Sequence, residues 1–258
     1  MASAALQICS AQVPSAASAN TPPVSSIVIV LKGMPYSATR IITEVQTTPD
    51  GKTLTSTHKS LLWRDAEGRT RQEDIQDSSA AGQTRAVNIY DPVAHVQYAW
   101  NAGERLEKEV MVTHIPVPEH EHVVWPDSSS LVRVPQSQSP SSQAAVPAMK
   151  NDLNATGETL PPTYINGLYV TGRRVRVVTP AGKEGNDHDI TVTYENWKSP
   201  DLKVTVRSIQ DDPRKGKTTI ELTNIDRSNP DPALFAPPEG YRKQDVTNVF
   251  YPGSAVQK

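Results

Sequence analysis

Three consecutive segments near the end of this chain alternate apolar and polar residues, and turns separate them. In residues 190–197, Ile190, Val192 and Tyr194 fall on one side and Thr191, Thr193 and Glu195 on the other. In residues 202–209, Leu202, Val204 and Val206 alternate with Lys203, Thr205 and Arg207, and Ile220 and Leu222 repeat the pattern in residues 217–225. Ser199-Pro200-Asp201 and Asp212-Pro213-Arg214-Lys215-Gly216 separate the three. A period of two sends successive side chains to opposite faces, so these segments predict an antiparallel sheet with one apolar and one wet face. A helix needs a period of 3.6 residues, and no long segment shows it. Residues 104–111 are the one fair helical alternative to a strand.

The first half reads the same way. Strand-like stretches at 25–31, 39–48, 52–64, 69–75, 85–90, 93–100 and 104–113 are joined by Pro49-Asp50-Gly51-Lys52, Asp65-Ala66-Glu67-Gly68, Asp91-Pro92 and Asn101-Ala102-Gly103. Proline pre-sets one turn dihedral, and Asp and Gly supply the rest. Residues 164–178 read as one long strand bent or bulged at Gly167 and Gly172, and residues 231–235 as one helical turn. The pattern predicts about eight to ten strands, and a sheet of that size curls, closes or packs on something. A curved sheet with one apolar face leaves a concave surface suited to a ligand. The expected class is mainly β: a curved antiparallel sheet or half-open β-barrel with few short helices.

Composition narrows the function. Lys and Arg number 26 against 28 Asp and Glu among 258 residues, so the cationic surplus that nucleic-acid binding needs is absent. A single cysteine, Cys9, excludes an intrachain disulfide and a multi-cysteine metal site. The longest apolar run, residues 27–31, falls far short of the roughly 18–20 residues of a membrane-spanning helix.

Two segments differ in kind. Residues 1–23 carry no charged side chain and hold Ala17-Ser18-Ala19, an A-x-A pattern that a signal peptidase accepts. They read as the remnant of a signal peptide whose start lies upstream, or as a low-complexity tail. Leu6-Gln7-Ile8-Cys9 has a lipobox outline, with Cys9 the residue to be lipidated. Residues 116–162 hold eight prolines and a serine cluster. Such a composition buries too little apolar area to fold by itself. It is expected to form a long loop, ordered only where Val123, Val124 and Trp125 or residues 131–134 pack. The organisation is then one β-rich domain over 24–255 with this loop inserted, or two β lobes at 24–115 and 163–255.

Catalytic signatures are weak. Gly51-Lys52-Thr53 and Gly216-Lys217-Thr218 mimic the end of a phosphate-binding loop, but Gln46 and Asp211 stand where its first glycine belongs. Ser56 and Lys59 fit S-x-x-K, a pair that requires a helix; in a strand they point to opposite faces. His114, His120 and His122 lie in a proline-flanked stretch with Glu119 and Glu121, a donor set suited to zinc or copper and equally to a solvated loop. Arg173, Arg174, Arg176 and Lys183 form a basic cluster, either a wet strand face or a contact for lipid phosphate. No cofactor is expected.

The order of several short motifs is familiar. Pro35-Tyr36-Ser37-Ala38, the hairpin Trp63-Arg64-Asp65-Ala66-Glu67-Gly68-Arg69-Thr70-Arg71, the turn Ile89-Tyr90-Asp91-Pro92, and a closing Pro230-Asp231-Pro232-Ala233-Leu234-Phe235 then Pro237-Pro238-Glu239-Gly240-Tyr241 appear in sequence. Together they resemble the outer-membrane lipoprotein carrier superfamily (LolA/LolB-like, with its related periplasmic sigma-regulator domain) over residues 35–115 and 158–245. Uncharacterised secreted bacterial proteins of that type share patterns found here at 165–173, 180–187 and 197–206. The resemblance implies a half-open barrel whose concave apolar face holds acyl chains under helical lids, a burial of about 25 cal/mol per Å² that needs no catalytic residue. It implies a non-catalytic, periplasmic or secreted envelope protein that binds an apolar ligand or a partner protein, with peripheral membrane contact open to it. Clear lid helices are missing and aromatics are few, so the fold can serve partner binding instead. The candidate lining residues are Ile41, Val45, Trp63, Val87, Ile89, Tyr98, Tyr194, Val204, Val206, Ile220 and Leu222. The alternative is a metal-binding protein or metalloenzyme using His114, His120 and His122.

Overall fold

The computed structural model describes residues 28–48, 50–78, 82–104, 106–115, 121–124 and 154–246. The tail 1–23, with Cys9 and the A-x-A pattern, lies outside these residues, as do His120 and most of the Pro/Ser-rich stretch.

Among the described residues there are fourteen strands, more than the turn signals alone suggested. They are β1 (Val28–Leu31), β2 (Tyr36–Thr47), β3 (Thr53–Arg64), β4 (Thr70–Ser78), β5 (Gly82–Asp91), β6 (Val96–Ala102), β7 (Glu109–His114), β8 (Glu121–Val124), β9 (Ala155–Ile165), β10 (Leu168–Thr179), β11 (Ile190–Ser199), β12 (Val204–Asp212), β13 (Gly216–Asp226) and β14 (Arg242–Asp245). A single 3₁₀ turn spans Pro232–Phe235. The fold class is as expected: a curved, unclosed sheet of half-open-barrel type. Its twelve strands run in the order β14-β7-β6-β5-β4-β3-β2-β13-β12-β11-β10-β9. The pairing of β13 with β2, from Lys217 opposite Val45 to Thr223 opposite Thr39, joins the two halves of the chain into that one sheet. β1 and β8 form a separate parallel pair.

Local chemistry explains most turns. Asp91 Oδ1 accepts hydrogen bonds from the amides of Val93 and Ala94, and Asp212 Oδ1 accepts from the amide of Arg214. Each aspartate thus closes its own turn. Residues 106–111 are not helical; the Leu106 amide donates to the Gly103 carbonyl and β7 follows from Glu109.

Two expectations are corrected here. Residues 164–178 are not one strand but a hairpin: Asn166 (φ 50°) and Gly167 (φ 81°) are both left-handed, the geometry of a two-residue turn that matches strand twist. The loop expected over 116–162 contains most of β9, whereas β8 includes Val123 and Val124, where order was expected. β9 is an edge strand, and its ladder with β10 shifts register opposite Val170–Gly172, which accommodates Pro161 and Pro162 in a bulge.

The apolar side of the sheet is also not one continuous face. Cross-strand partners share a face, so the registers can be followed from strand to strand. In β4 to β7 the buried side carries Glu73, Val87, Ile89, Val96, Trp100, Val110 and Val112. Traced through β3 and β2, that same side becomes Ile41, Thr43 and Val45, then Glu221 and Arg207, then Glu195 and Arg174. In the second half the buried residues Val175, Val192 and Leu222 stand on the opposite side with Ile42. Two cores result. One gathers Leu31, Met34, Ile165, Leu168, Val170, Leu202 and Val206. The other gathers Val87, Ile89, Val96, Trp100, Val110, Val112 and Phe235. β3 serves both, with Trp63 packed on the second core and buried Arg64 on the first side.

Candidate functional site: an apolar face under a C-terminal strap

The alternation of β5, β6 and β7 puts two or three large apolar side chains per strand on one face. Trp63 and Tyr98 pack at its border, partly buried. Across this face lies the chain's own C-terminal segment. Asp231 caps the 3₁₀ turn by accepting from the amide of Ala233, and Pro232 stands at the first helical position, where it loses no hydrogen bond. The turn drives Phe235 into the core at 3% exposure. Leu234 and Tyr241 pack beside it, Tyr241 edge-on to Trp100 with ring centroids 6.3 Å apart. The chain then runs as β14 parallel to β7.

A charged group sits among these rings. Arg71 Nε and Nη2 donate to Glu73 Oε1 at 2.8 and 2.6 Å, and Arg85 Nη1 donates to Glu73 Oε2 at 2.8 Å. Arg71 and Glu73 share a strand face because they are two residues apart. The Arg71 guanidinium lies over Trp100 (5.3 Å) and Trp63 (5.9 Å). Its Nη1 donates to the carbonyl of Leu234 at 2.7 Å, which fixes the strap. Arg69 lies over the Phe235 ring. None of these groups pairs a nucleophile with a base.

On the other core, Arg64 is buried and donates to the carbonyls of Met34 and Leu202 while stacking on Tyr36. Burial lowers the pKa of the Arg64 guanidinium and raises that of the Tyr36 hydroxyl, with Arg64 and Arg40 opposing the rise. This group clamps the segment before β2 to the start of β12.

The structure distributes the sequence candidates over both sides. Trp63, Val87, Ile89 and Tyr98 come together on the strap-covered face. Ile41 and Val45 share that side, beyond β3, but stand among Thr43, Thr219 and Glu221. Val204 and Val206 pack into the other core. Tyr194, Ile220 and Leu222 lie, by register, on the side of the sheet opposite Ile41 and Val45. The eleven therefore do not line one cavity.

Of the three histidines, His114 is exposed with Nε2 3.4 Å from Asp245 Oδ1, and His122 belongs to β8 in the other sheet. Among the described residues no three His, Cys, Asp or Glu side chains stand close enough to hold a metal. The basic cluster is engaged by carboxylates: Arg174 meets Glu158 and Glu195, and Arg176 meets Glu158. Hydrogen bonds from these arginines hold Glu158 below the usual carboxylate range. Arg71, Glu73 and Phe235 were not among the sequence candidates. The visible signal was an Arg and a Glu two residues apart in a strand opposite apolar Val87 and Ile89.

No protein-family model and no curated protein sequence matches the chain. Among solved structures it is similar to the Pseudomonas aeruginosa MucA/MucB complex, with TM-score 0.37 and 11% identity over 80% of this chain and 56% of that one. It is similar to MucB, with TM-score 0.36 and 10% identity over 82% of this chain and 60% of that one. It is also similar to a DUF1329 family protein from Desulfovibrio piger, with TM-score 0.30 and 12% identity over 79% and 90%. The chain thus spans less than two thirds of the length of the first two. Among the described residues no helix is long and apolar enough to cross a membrane.

Proposed function

We propose that this chain is a non-catalytic, periplasmic or secreted envelope protein that binds an apolar group, from a lipid or from a partner protein, on the half-barrel face of β4 to β7. The observation that carries this reading is a contiguous apolar face in an unclosed sheet, covered there by a short segment of the chain itself. Its one strongly charged element, Arg71 with Glu73 and Arg85, offers donors that orient a ligand carbonyl, as Leu234 illustrates. Binding to such a face is driven by area removed from water and needs no reactive residue.

Native mass spectrometry of the gently purified full chain tests it, together with cross-linking in envelope extract. A lipid-sized adduct lost on delipidation, or a protein cross-linked to β5–β7, is the expected outcome. A stoichiometric metal mass removed by chelator, or a bare chain that cross-links to nothing on this face, would overturn it.

A further inference from the structure

We propose that the strap, residues 231–246, is a tethered stand-in for an external ligand, and that this ligand is an extended peptide carrying an adjacent aliphatic–aromatic pair. The inference rests on the reading of the β4–β7 face as the binding face and names its occupant.

The strap already makes the contacts such a peptide would make. Phe235 and Leu234 fill the apolar face, and the Leu234 carbonyl takes the Arg71 donor. The following chain adds a parallel strand to β7, with the Arg242 amide donating to the Lys108 carbonyl and the Val246 amide to the Val112 carbonyl. This is strand addition to a sheet edge, in which main-chain bonds give affinity and side-chain pockets give specificity.

The attachment is built to release. All four residues of β14 are exposed, and β14 touches the sheet through β7 alone. Its side-chain ties lie at the surface: Arg242 and Gln244 reach Glu109, Asp245 reaches His114, and Lys243 lies over the Tyr98 ring. The seat also survives the strap's departure. Arg71 keeps Glu73, a carboxylate 7% exposed and shared with Arg85, so no unpaired charge is left among Trp63 and Trp100. What remains is a strand edge, an apolar face and one guanidinium aimed at a carbonyl. An acyl ester would use the last two of these; a peptide uses all three, the strand edge included.

The test uses the full chain with Cys9→Ser and cysteines replacing Met111 and Gln244, which stand opposite each other across β7 and β14. Oxidation locks the strap and reduction frees it. The probe is a fluorescein-labelled synthetic peptide of residues 229–246, followed by anisotropy, with a version bearing Ser in place of Leu234 and Phe235 as control. A tethered competitor lowers apparent affinity by the fraction of open molecules, so loosening the strap should tighten peptide binding. The oxidised form should bind no peptide and the reduced form should bind it. Arg242→Glu, an exposed change that leaves the core intact, should bind it about fivefold tighter or better. The control peptide should not bind. Equal binding, or none, in all three forms would overturn the proposal. Uptake of the dye anilinonaphthalene sulfonate separates the two readings. Dye uptake on reduction without peptide binding overturns the peptide inference and leaves an acyl occupant. Failure of both dye and peptide removes the binding face itself.

Discussion

Replacing Glu73 should destabilise the protein more than any surface change, because its carboxylate neutralises a buried cation. The Glu73 side chain is 7% exposed and that of Arg71 is 12% exposed. In Glu73→Leu, Arg71 keeps only the Leu234 carbonyl, and the Coulombic partner is gone. Breaking a buried pair by removing one member costs about 3–5 kcal/mol. That is a large part of the roughly 5–15 kcal/mol by which domains are stable. Glu73→Gln keeps one acceptor but turns an amide donor toward Arg71 or Arg85, and should cost about 2–3 kcal/mol. The decisive variant is Arg71→Met/Glu73→Leu. It removes both buried charges, and Arg85, whose side chain is 43% exposed, moves into solvent. Its residual cost is the orphaned Leu234 carbonyl, about 1–2 kcal/mol. Urea unfolding followed by tryptophan fluorescence reads this directly, because Trp63 and Trp100 flank Arg71. If Glu73→Leu costs under about 1 kcal/mol, or the double variant costs the sum of the single ones, the ion pair does not hold this face together.

Two further predictions concern the second half. A Cβ at Gly172 would come within 2.5 Å of a ring carbon of Trp197, so Gly172→Ala should cost about 1–3 kcal/mol, and the penalty should vanish in a Trp197→Leu background; an unchanged urea midpoint for Gly172→Ala alone would refute the contact. Hydrogen bonds from Arg214 depress the Asp212 carboxyl, and those from Arg207 depress Glu221. Groups with depressed folded-state pKa values add stability above their unfolded values of about 4, and that stability disappears as pH falls through the folded-state values. The urea midpoint should therefore drop between about pH 5 and pH 2, and Asp212→Asn should shrink that drop by lowering stability at neutral pH only. A variant whose midpoint runs parallel to the parent at all pH values would refute it.

Much of the fold is local and was readable. The alternation in β11 to β13 comes from residues one and two apart, and the turns at Asp91 and Asp212 come from aspartates bonding amides two residues on. The 3₁₀ turn at Pro232–Phe235 follows from an Asp cap and a proline. Asn166-Gly167 is equally readable as a hairpin turn, and the structure forms it. β9 was not readable: Thr, Glu and Pro have little to bury, and β10 supplies the ladder that makes the segment a strand.

The sequence by itself determined that most segments are extended, that each has one apolar side, and where many of them turn. It did not determine which side of the sheet those apolar faces share. Alternation is a property of one strand, whereas the common face depends on the register between strands and on what covers them. Val87 and Val192 look alike along the chain, yet the registers put them on opposite sides of the sheet. The site depended on the same non-local terms. Arg71 meets Leu234 across 163 residues, and no periodicity within either segment encodes that contact. Only the packed sheet, with an unpaired edge at β7 and an apolar face beside it, gave the strap a place to lie.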